Sequence, residues 1–293
     1  MTRTEIKVAA VVVTYRPDLA MLRRILDRLQ PQCDVVIADN TPDWHAAQTV
    51  AACMPARRNS YAWMGGNIGI GAAQNHAIAR AWAMGADAVL LLDDDSLPPP
   101  DLVEQLIACT VMTGADAVVG ANALDDTGRE ISNARRVPGA LPRCRDMMSS
   151  GTLIRRAIFE RVGPFDESLF VDGVDFEWGW RAIRSGITLY LCRATAITHR
   201  LGEGRVAGLG LPSPIRHYFQ YRNILRLMSY SHTPWQWRLE QLTKLPIKLG
   251  VIALLMPQRG LRLRHVGAGV RDALLRRHGP APGSPPVMPA KPS

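Results

Sequence analysis

Val89-Leu90-Leu91-Leu92-Asp93-Asp94-Asp95-Ser96 sets an apolar run, long enough for a buried strand, directly against three consecutive carboxylates. A short continuous apolar run bounded by turn signals fits a strand covered on both faces, and such strands belong to parallel sheets. In open α/β sheets ligands bind in the crevice beyond the carboxyl ends of the strands. Carboxylates placed there are suited to holding a hard divalent cation on a substrate's phosphates. Taken alone, the triplet reads equally as a cation-holding site or as a solvated acidic turn, since acidic clusters at strand ends also cap helices. The flanking sequence decides between these readings.

Working outward, Val8–Thr14 reads as a second buried strand. Leu19–Leu29, started by Pro17-Asp18 and apolar at Leu22, Ile25, Leu26 and Leu29, reads as a crossover helix. Asp34–Asp39 is the next strand and again ends on an acid. Ala72–Met84 and Leu102–Met112 read as helices on either side of the strand Ala88–Leu92. This alternation is the pattern of βαβ units, so the fold class is α/β, a mainly parallel sheet flanked by helices. After residue 120 the pattern loosens into a strand-like Ser150–Ile154, a helix over Val174–Ser185, and short strands at Thr188–Cys192 and Ala196–His199. From Pro212 onward the chain reads as helical and basic, and Gly279 to Ser293 is crowded with Pro and Gly. The expected division is a catalytic domain over 1–211, a basic helical region over 212–278 and a disordered tail over 279–293.

A chain of 293 residues with 47% hydrophobic content buries a full core. Its net charge of +9 is unevenly placed: residues 193–293 hold 16 Lys and Arg against 3 Asp and Glu, whereas residues 1–192 carry an acidic excess. A near-neutral body with a basic end points to an anionic partner, either a phospholipid surface or a phosphate-bearing substrate. Five widely spaced cysteines without a Cys-x-x-Cys pair argue against a disulfide framework and a structural zinc site, and fit a reducing cytoplasm. The N-terminal residues lack the apolar core and cleavage site of a signal peptide. Leu245–Met256 is apolar but contains Pro246 and Lys248 and is shorter than the ~20 residues a membrane span needs. With Trp235, Trp237, Leu239 and Leu242 upstream and a series of arginines downstream, this segment suits a helix lying in the lipid interface. Packing against the domain as an ordinary amphipathic helix is the other reading.

Several stretches form a set when taken in order: Val11-Val12-Val13-Thr14-Tyr15, Ala38-Asp39-Asn40, Asn67-Ile68-Gly69-Ile70-Gly71 with Asn75, and Leu92-Asp93-Asp94-Asp95-Ser96. Ser150-Gly151, Phe170-Val171-Asp172-Gly173-Val174-Asp175-Phe176-Glu177-Trp178 and His199-Arg200-Leu201-Gly202 follow. The set resembles the family 2 glycosyltransferases, and within them the bacterial rhamnosyltransferases, over roughly residues 6 to 230. Each piece alone is weak, and the combination is specific. The resemblance implies a GT-A fold, a nucleotide-sugar donor with dTDP-rhamnose favoured, and a divalent cation, Mg²⁺ or Mn²⁺.

Sugar transfer from a nucleoside diphosphate needs a nucleoside pocket, charge compensation for the departing diphosphate, and a base for the acceptor hydroxyl. Thr14, Tyr15 and Asp39 stand at strand ends where they would meet the nucleoside, and the resemblance gives Asp39 the nucleobase. By the same resemblance Asn67, Gly69 and Asn75 line the donor pocket, Asp93 lies near ribose and metal with Asp94 at a variable middle position, and Asp95 is the direct metal ligand. His199 becomes a third ligand. Asp175 takes the general-base position, with Asp172 a second acid near the acceptor. Asp175 and Glu177, two apart on a helix, point about 200° apart and cannot share a role, whereas Glu177 and Arg181 can pair. Arg222 and Asn223 match a late family segment, and Arg222 would contact a diphosphate of the donor or of a lipid-linked acceptor, unless it is a surface arginine on an amphipathic helix. The expected activity is inverting sugar transfer to a glycan or lipid-linked acceptor in cell-surface polysaccharide synthesis, with the enzyme cytoplasmic and peripheral at an anionic membrane.

Two other functions compete. A sugar-phosphate nucleotidyltransferase would use a similar sheet, but Thr14-Tyr15-Arg16-Pro17 stands where such enzymes carry a Gly-rich loop. A non-enzymatic binder of anionic polymers would exploit the basic C-terminal third, yet no nucleic-acid motif accompanies it.

Overall fold

The computed structural model describes residues 6–54, 59–125, 127–130, 134–135, 141–199, 205–206 and 209–284. The first half runs β1 (Val8–Thr14), α1 (Leu19–Leu29), β2 (Asp34–Asp39), α2 (Trp44–Ala51), β3 (Ser60–Trp63), α3 (Ile70–Ala83), β4 (Ala88–Asp93), β5 (Ser96–Leu97), α4 (Leu102–Thr113) and β6 (Ala117–Leu124). The second runs β7 (Ala134–Arg135), β8 (Arg143–Cys144), β9 (Thr152–Arg155), α5 (Arg156–Val162), α6 (Val174–Arg184), β10 (Thr188–His199), β11 (Arg205–Val206), β12 (Leu209–Gly210), α7 (Arg216–Ser229), α8 (Trp235–Leu254) and α9 (Arg259–Leu274).

The main sheet has the order β3-β2-β1-β4-β9-β6-β10-β8-β7, with β5 against the far end of β10. β3, β2, β1 and β4 are parallel, β9 runs antiparallel between β4 and β6, and β6 pairs parallel with β10. Strand side chains alternate between two cores. Ala9 and Val11 of β1, with Val89 and Leu91 of β4, face α3 and α6. Val8, Ala10 and Val12, with Leu90 and Leu92, face α1 and α4. Both faces are covered, which is why these strands read as unbroken apolar runs.

The strands and helices read around Asp93–Asp95 agree with the fold, and the differences have local causes. Thr188–Cys192 and Ala196–His199 are one strand interrupted by a bulge, where the register against β6 shifts. β6 escapes the sequence pattern because Gly120 and Asn122 break its apolar run. α2, β3 and α5 are too short to show a period. Cys109 of α4 and Cys192 of β10 are joined as a disulfide, contrary to the reading of unpaired cysteines; the two lie 83 residues apart in sequence and meet only because α4 packs on β10. Tail residues 279–284 are placed, with Ala281 buried beside Phe170, Tyr218 and Phe219, so the expected disorder does not begin at Gly279. The rest of the tail lies outside the described residues.

Candidate active site

Beyond the ends of β1, β2 and β4 the polar side chains fall into two groups. On the β1–β2 side, the fully buried Asp39 accepts from Thr14 Oγ1 at 2.9 Å, the Thr41 amide at 2.9 Å and Tyr61 Oη at 2.7 Å. Asn40 bridges to the next turn, accepting from the Ile68 amide at 3.3 Å and donating to the Gly69 carbonyl at 3.2 Å, while Asn67 Oδ1 accepts from the Gly69 amide at 3.0 Å. Gly69, at φ 92°, lies so close to the loop before α6 that a Cβ there would stand 2.7 Å from the Phe170 carbonyl oxygen. The glycine is therefore required by a close approach, and α3 begins two residues earlier than its sequence pattern suggests.

The acidic triplet divides. Asp93 is held by a hydrogen bond from its amide to Ser150 Oγ at 3.1 Å, and it faces a cavity of about 380 Å³. Asp94 accepts from the Tyr15 amide at 3.0 Å and so ties the end of β4 to the end of β1, with the Tyr15 ring itself exposed. Asp95 accepts from Ser96 Oγ at 3.3 Å. Loss of water and repulsion from Asp95 and Asp175 push Asp93 up to about 7, although Arg216 opposes this. Loss of water, followed by repulsion from the neighbouring acids, also pushes Asp94 up to about 7 against the Tyr15 hydrogen bond.

Asp172 and Asp175 face Asp93 across the same cavity. Asp175 opens α6, accepts from the Phe176 amide at 2.9 Å, and is pushed up to about 6, chiefly by loss of water. Asp172 sits at φ 59° after Phe170 at φ 68°, left-handed conformations rare in side-chain-bearing residues. Neighbours enforce them. Asn223 Nδ2 donates to the carbonyls of Leu169 at 2.8 Å and Asp172 at 2.9 Å and also to that of Val171, and Arg222 Nη2 donates to Leu169 at 2.8 Å. Strain held in this way by its surroundings is common where side chains must be aimed at a ligand. Glu177 points elsewhere, pairing with Arg181 at 2.6 Å as their spacing predicts.

Two residues expected at the donor are committed to the fold. Asn75 clamps the segment before α6, donating to the Phe165 carbonyl at 3.0 Å and to Glu167 at 2.9 Å while accepting from the Phe165 amide at 2.9 Å. Arg222 is fully buried, stacked on Tyr218 and Phe219, and donates to Asn223 and to the carbonyls of Leu169 and Gly279. One cation that lines the cavity is Arg216, bonded to Asp172 at 2.8 Å and held further in its charged form by Asp93 and Asp95. Sequence reasoning missed it, although helical spacing carried a signal. Arg216, Gln220, Asn223 and Leu227 recur at i, i+4, i+7 and i+11 and all line the cavity, whereas Tyr218, Arg222 and Arg226 form another stripe. Lys248 of α8, whose charged form burial disfavours, and Gln74 of α3 complete the lining. Gln74 is buried with its Oε1 lacking a partner among the described residues.

The described residues contain no group of three or more His, Cys, Asp or Glu side chains gathered around a metal position. The donor set still fits a cation of the Mg²⁺ kind, which binds one or two carboxylates and takes its remaining oxygens from substrate phosphates and water. Asp93 and Asp94, each pushed up to about 7 first by loss of water and then by repulsion from neighbouring acids, form the kind of anionic cluster that such an ion relieves. The backbone of His199 pairs with Ser96, beside Asp95, and its side chain lies outside the described residues.

A mixed, mostly parallel sheet flanked by helices, with an acidic cavity beyond the end of β4, is the architecture of a GT-A fold. The crystal structure of S. aureus TarS 1-349 superposes with a TM-score of 0.59 at 16% identity, over 91% of this chain and 80% of that one. The structure of GalNAc-T7 with UDP, GalNAc and Mn²⁺ gives 0.59 at 12% identity, over 93% and 56%. Residues 9–163 match the model of glycosyl transferase family 2, and the chain belongs to that family. It is similar to the dTDP-rhamnosyl transferase RfbF of Shigella flexneri, 29% identical over 77% of this chain and 81% of that protein. It is also similar to the galactofuranosyltransferase GlfT1 of Mycolicibacterium smegmatis, 27% identical over 78% and 85%.

Proposed function

We propose that this glycosyltransferase moves L-rhamnose from dTDP-rhamnose to a hydroxyl of a glycan or lipid-linked acceptor, with inversion at the anomeric carbon. The observation that carries the reading is the shared cavity, where Asp172, Asp175 and Arg216 face Asp93 at the end of β4. Likeness to the Shigella rhamnosyltransferase favours the sugar, and the galactofuranosyltransferase relatives supply the second donor to be tested.

In this mechanism Thr14, Tyr15 and Asp39 shape the nucleoside end, with Asp39 fixed by Thr14 and Tyr61. Asn67 and Gly69 form the turn beside it. Asp175 removes the proton of the acceptor hydroxyl, whose oxygen forms a bond to the anomeric carbon as the bond from that carbon to the diphosphate oxygen breaks. A carboxylate poised near 6 is ionised at neutral pH and more basic than an ordinary aspartate. Asp172 holds Arg216, which with Lys248 supplies positive charge to the leaving diphosphate. Asp95 and Asp93, with His199 as a third ligand, would hold Mg²⁺ or Mn²⁺, which neutralises diphosphate charge when bound.

The C-terminal helices suit an anionic membrane at the cytoplasmic face. No helix among the described residues is long and apolar enough to cross a membrane. Trp235, Leu239, Leu242 and Leu249 of α8 are exposed, and α9 exposes Arg264 and Arg271 on one side. Apolar side chains beside cations bind anionic interfaces, each cation contributing about 1 kcal/mol near the surface.

A panel of dTDP-rhamnose, a galactofuranosyl donor and other UDP- and GDP-sugars, scored by hydrolysis and by thermal stabilisation with and without Mn²⁺, tests the donor. Stabilisation by dTDP-rhamnose above the others supports the reading, and preference for the galactofuranosyl donor replaces it. Turnover of a nucleoside triphosphate with a sugar phosphate would instead identify a nucleotidyltransferase. Co-sedimentation should rise with phosphatidylglycerol content and fall with salt, and equal binding to neutral vesicles would remove the membrane role.

A further inference from the structure

α8 carries two unlike faces. Trp237, Gln241, Lys244 and Lys248 recur at i, i+4, i+7 and i+11 and line cavities of the body. Trp235, Leu239, Leu242, Pro246 and Leu249 recur at the same intervals two residues out of phase, and all are exposed. At 100° per residue the two stripes lie on opposite sides of the helix.

Beside the cavity of Asp172 and Asp175 lies a second, of about 290 Å³, between the Cys144–Met148 segment, α6 and α8. The two share Met148, Phe176, Trp237 and Gln241, so they form one cleft running along the inner face of α8. Apolar walls from Phe176, Trp237 and Met147 face polar ones. Arg145 joins Glu240 of α8 at 2.9 Å and Asp146 at 2.6 Å, and Glu240 joins Lys244 at 3.1 Å. Flat apolar surface with a few fixed donors and acceptors is the chemistry that holds a sugar ring, apolar on its C–H face and hydroxylated at its edge.

We infer that this second cavity is an acceptor subsite for a saccharide unit, and that the acceptor is a lipid-anchored glycan entering around α8 from the membrane. The inference rests on the glycosyl-transfer and membrane readings above and adds a requirement of reach. With the apolar stripe of α8 in the lipid interface, the cleft stands one helix diameter, about 10 Å, above it. A prenyl diphosphate bearing no sugar has no alcohol hydroxyl to present there, whereas a saccharide arm carries hydroxyls past the helix into the cleft. The accepting hydroxyl must be carried on a carbohydrate arm, whose penultimate sugar occupies the second cavity while the terminal one meets Asp175.

The test uses the full chain on phosphatidylglycerol vesicles with dTDP-rhamnose and Mg²⁺. Prenyl diphosphates bearing no sugar, one sugar, or di- and trisaccharides are offered as acceptors, together with the same glycans on a short water-soluble alkyl chain. Transfer should require a saccharide and improve with the second one. Gln241→Ala and Lys244→Ala should raise the acceptor KM about tenfold or more, while the donor KM changes little. Leu239→Ser with Leu242→Ser should raise KM for vesicle-borne acceptor and leave KM for the soluble glycan unchanged. Transfer to bare prenyl diphosphate, an unchanged acceptor KM in both cavity variants, or an equal effect of the stripe variant on both acceptor types overturns the inference. Donor hydrolysis without transfer to any saccharide acceptor also counts against it. Failure of the protein to bind or hydrolyse any nucleotide sugar strikes the glycosyltransferase reading instead.

Discussion

Asp175, Asp172 and Asp93 share a cavity but not an environment. Asp172 has an arginine partner at 2.8 Å, whereas Asp175 has backbone amides and little water. Asp175→Asn keeps the shape and removes the proton acceptor, so kcat should fall by roughly 10²–10⁴ while donor affinity, read by titration calorimetry, is retained. Transfer undiminished in that variant would move the base to Asp172. The acid limb of the kcat/KM profile should rise as pH passes about 6, because a base at Asp175, as proposed, acts only when ionised.

The same raised carboxylates have a consequence for stability. A carboxyl whose folded pKa exceeds its unfolded value favours the fold at low pH, and that contribution is lost as pH rises through the folded pKa. In chelator, Asp93→Asn should therefore raise Tm at pH 8 more than at pH 5, since the folded pKa of Asp93 lies at about 7. An equal effect at both pH values would show that the repulsion is relieved by other means.

At the scale of elements, α3, α6 and α7 meet around residues 169–173, and each contact there serves the placement of the two acids. Gly69→Ala should cost more than about 1 kcal/mol in chemical denaturation, since the added carbon collides with the Phe170 backbone and the position has positive φ. Because the collision falls on the loop that carries Asp172, kcat should drop as well. Arg222 offers the contrast. Its guanidinium satisfies carbonyls of two segments, so Arg222→Ala should destabilise by about 3 kcal/mol, with the donor KM of the folded fraction unchanged. A donor KM raised as steeply as in Arg216→Ala would return Arg222 to the diphosphate.

At the scale of the whole molecule, the basic C-terminal region is not an appendage. Trp237 of α8 packs edge-on against Trp180 and belongs to the core that also holds β1 and β4. Arg145 ties the body to Glu240, and Gly269 of α9 lies directly against the Tyr218 backbone of α7. Deleting residues 234–293 should therefore lower Tm sharply or abolish soluble expression, whereas a domain ending at residue 211, as the sequence division has it, would stay folded. A truncated protein with an unchanged melting curve would restore the idea of a separable region.

Sequence alone determined the α/β class, the strand ends that bear Asp39 and Asp93–Asp95, and the acids of α6, because these depend on local patterns: apolar runs, periods of two and 3.6, and charge at a strand terminus. It could not determine which side chains those patterns leave available. Asn75 and Arg222 carry donor-like chemistry but are consumed by carbonyls about 90 and 50 residues away along the chain. Arg216 stands in the cavity because α7 crosses the loop before α6, and the cysteine pair forms because α4 lies on β10. α8, a single amphipathic mixture in sequence, became two distinct faces once packing chose which stripe lines the cavities and which is exposed. Hydrogen bonds and burial between distant segments are properties of the tertiary structure, so it alone decided which polar residues hold the fold and which remain to meet a substrate.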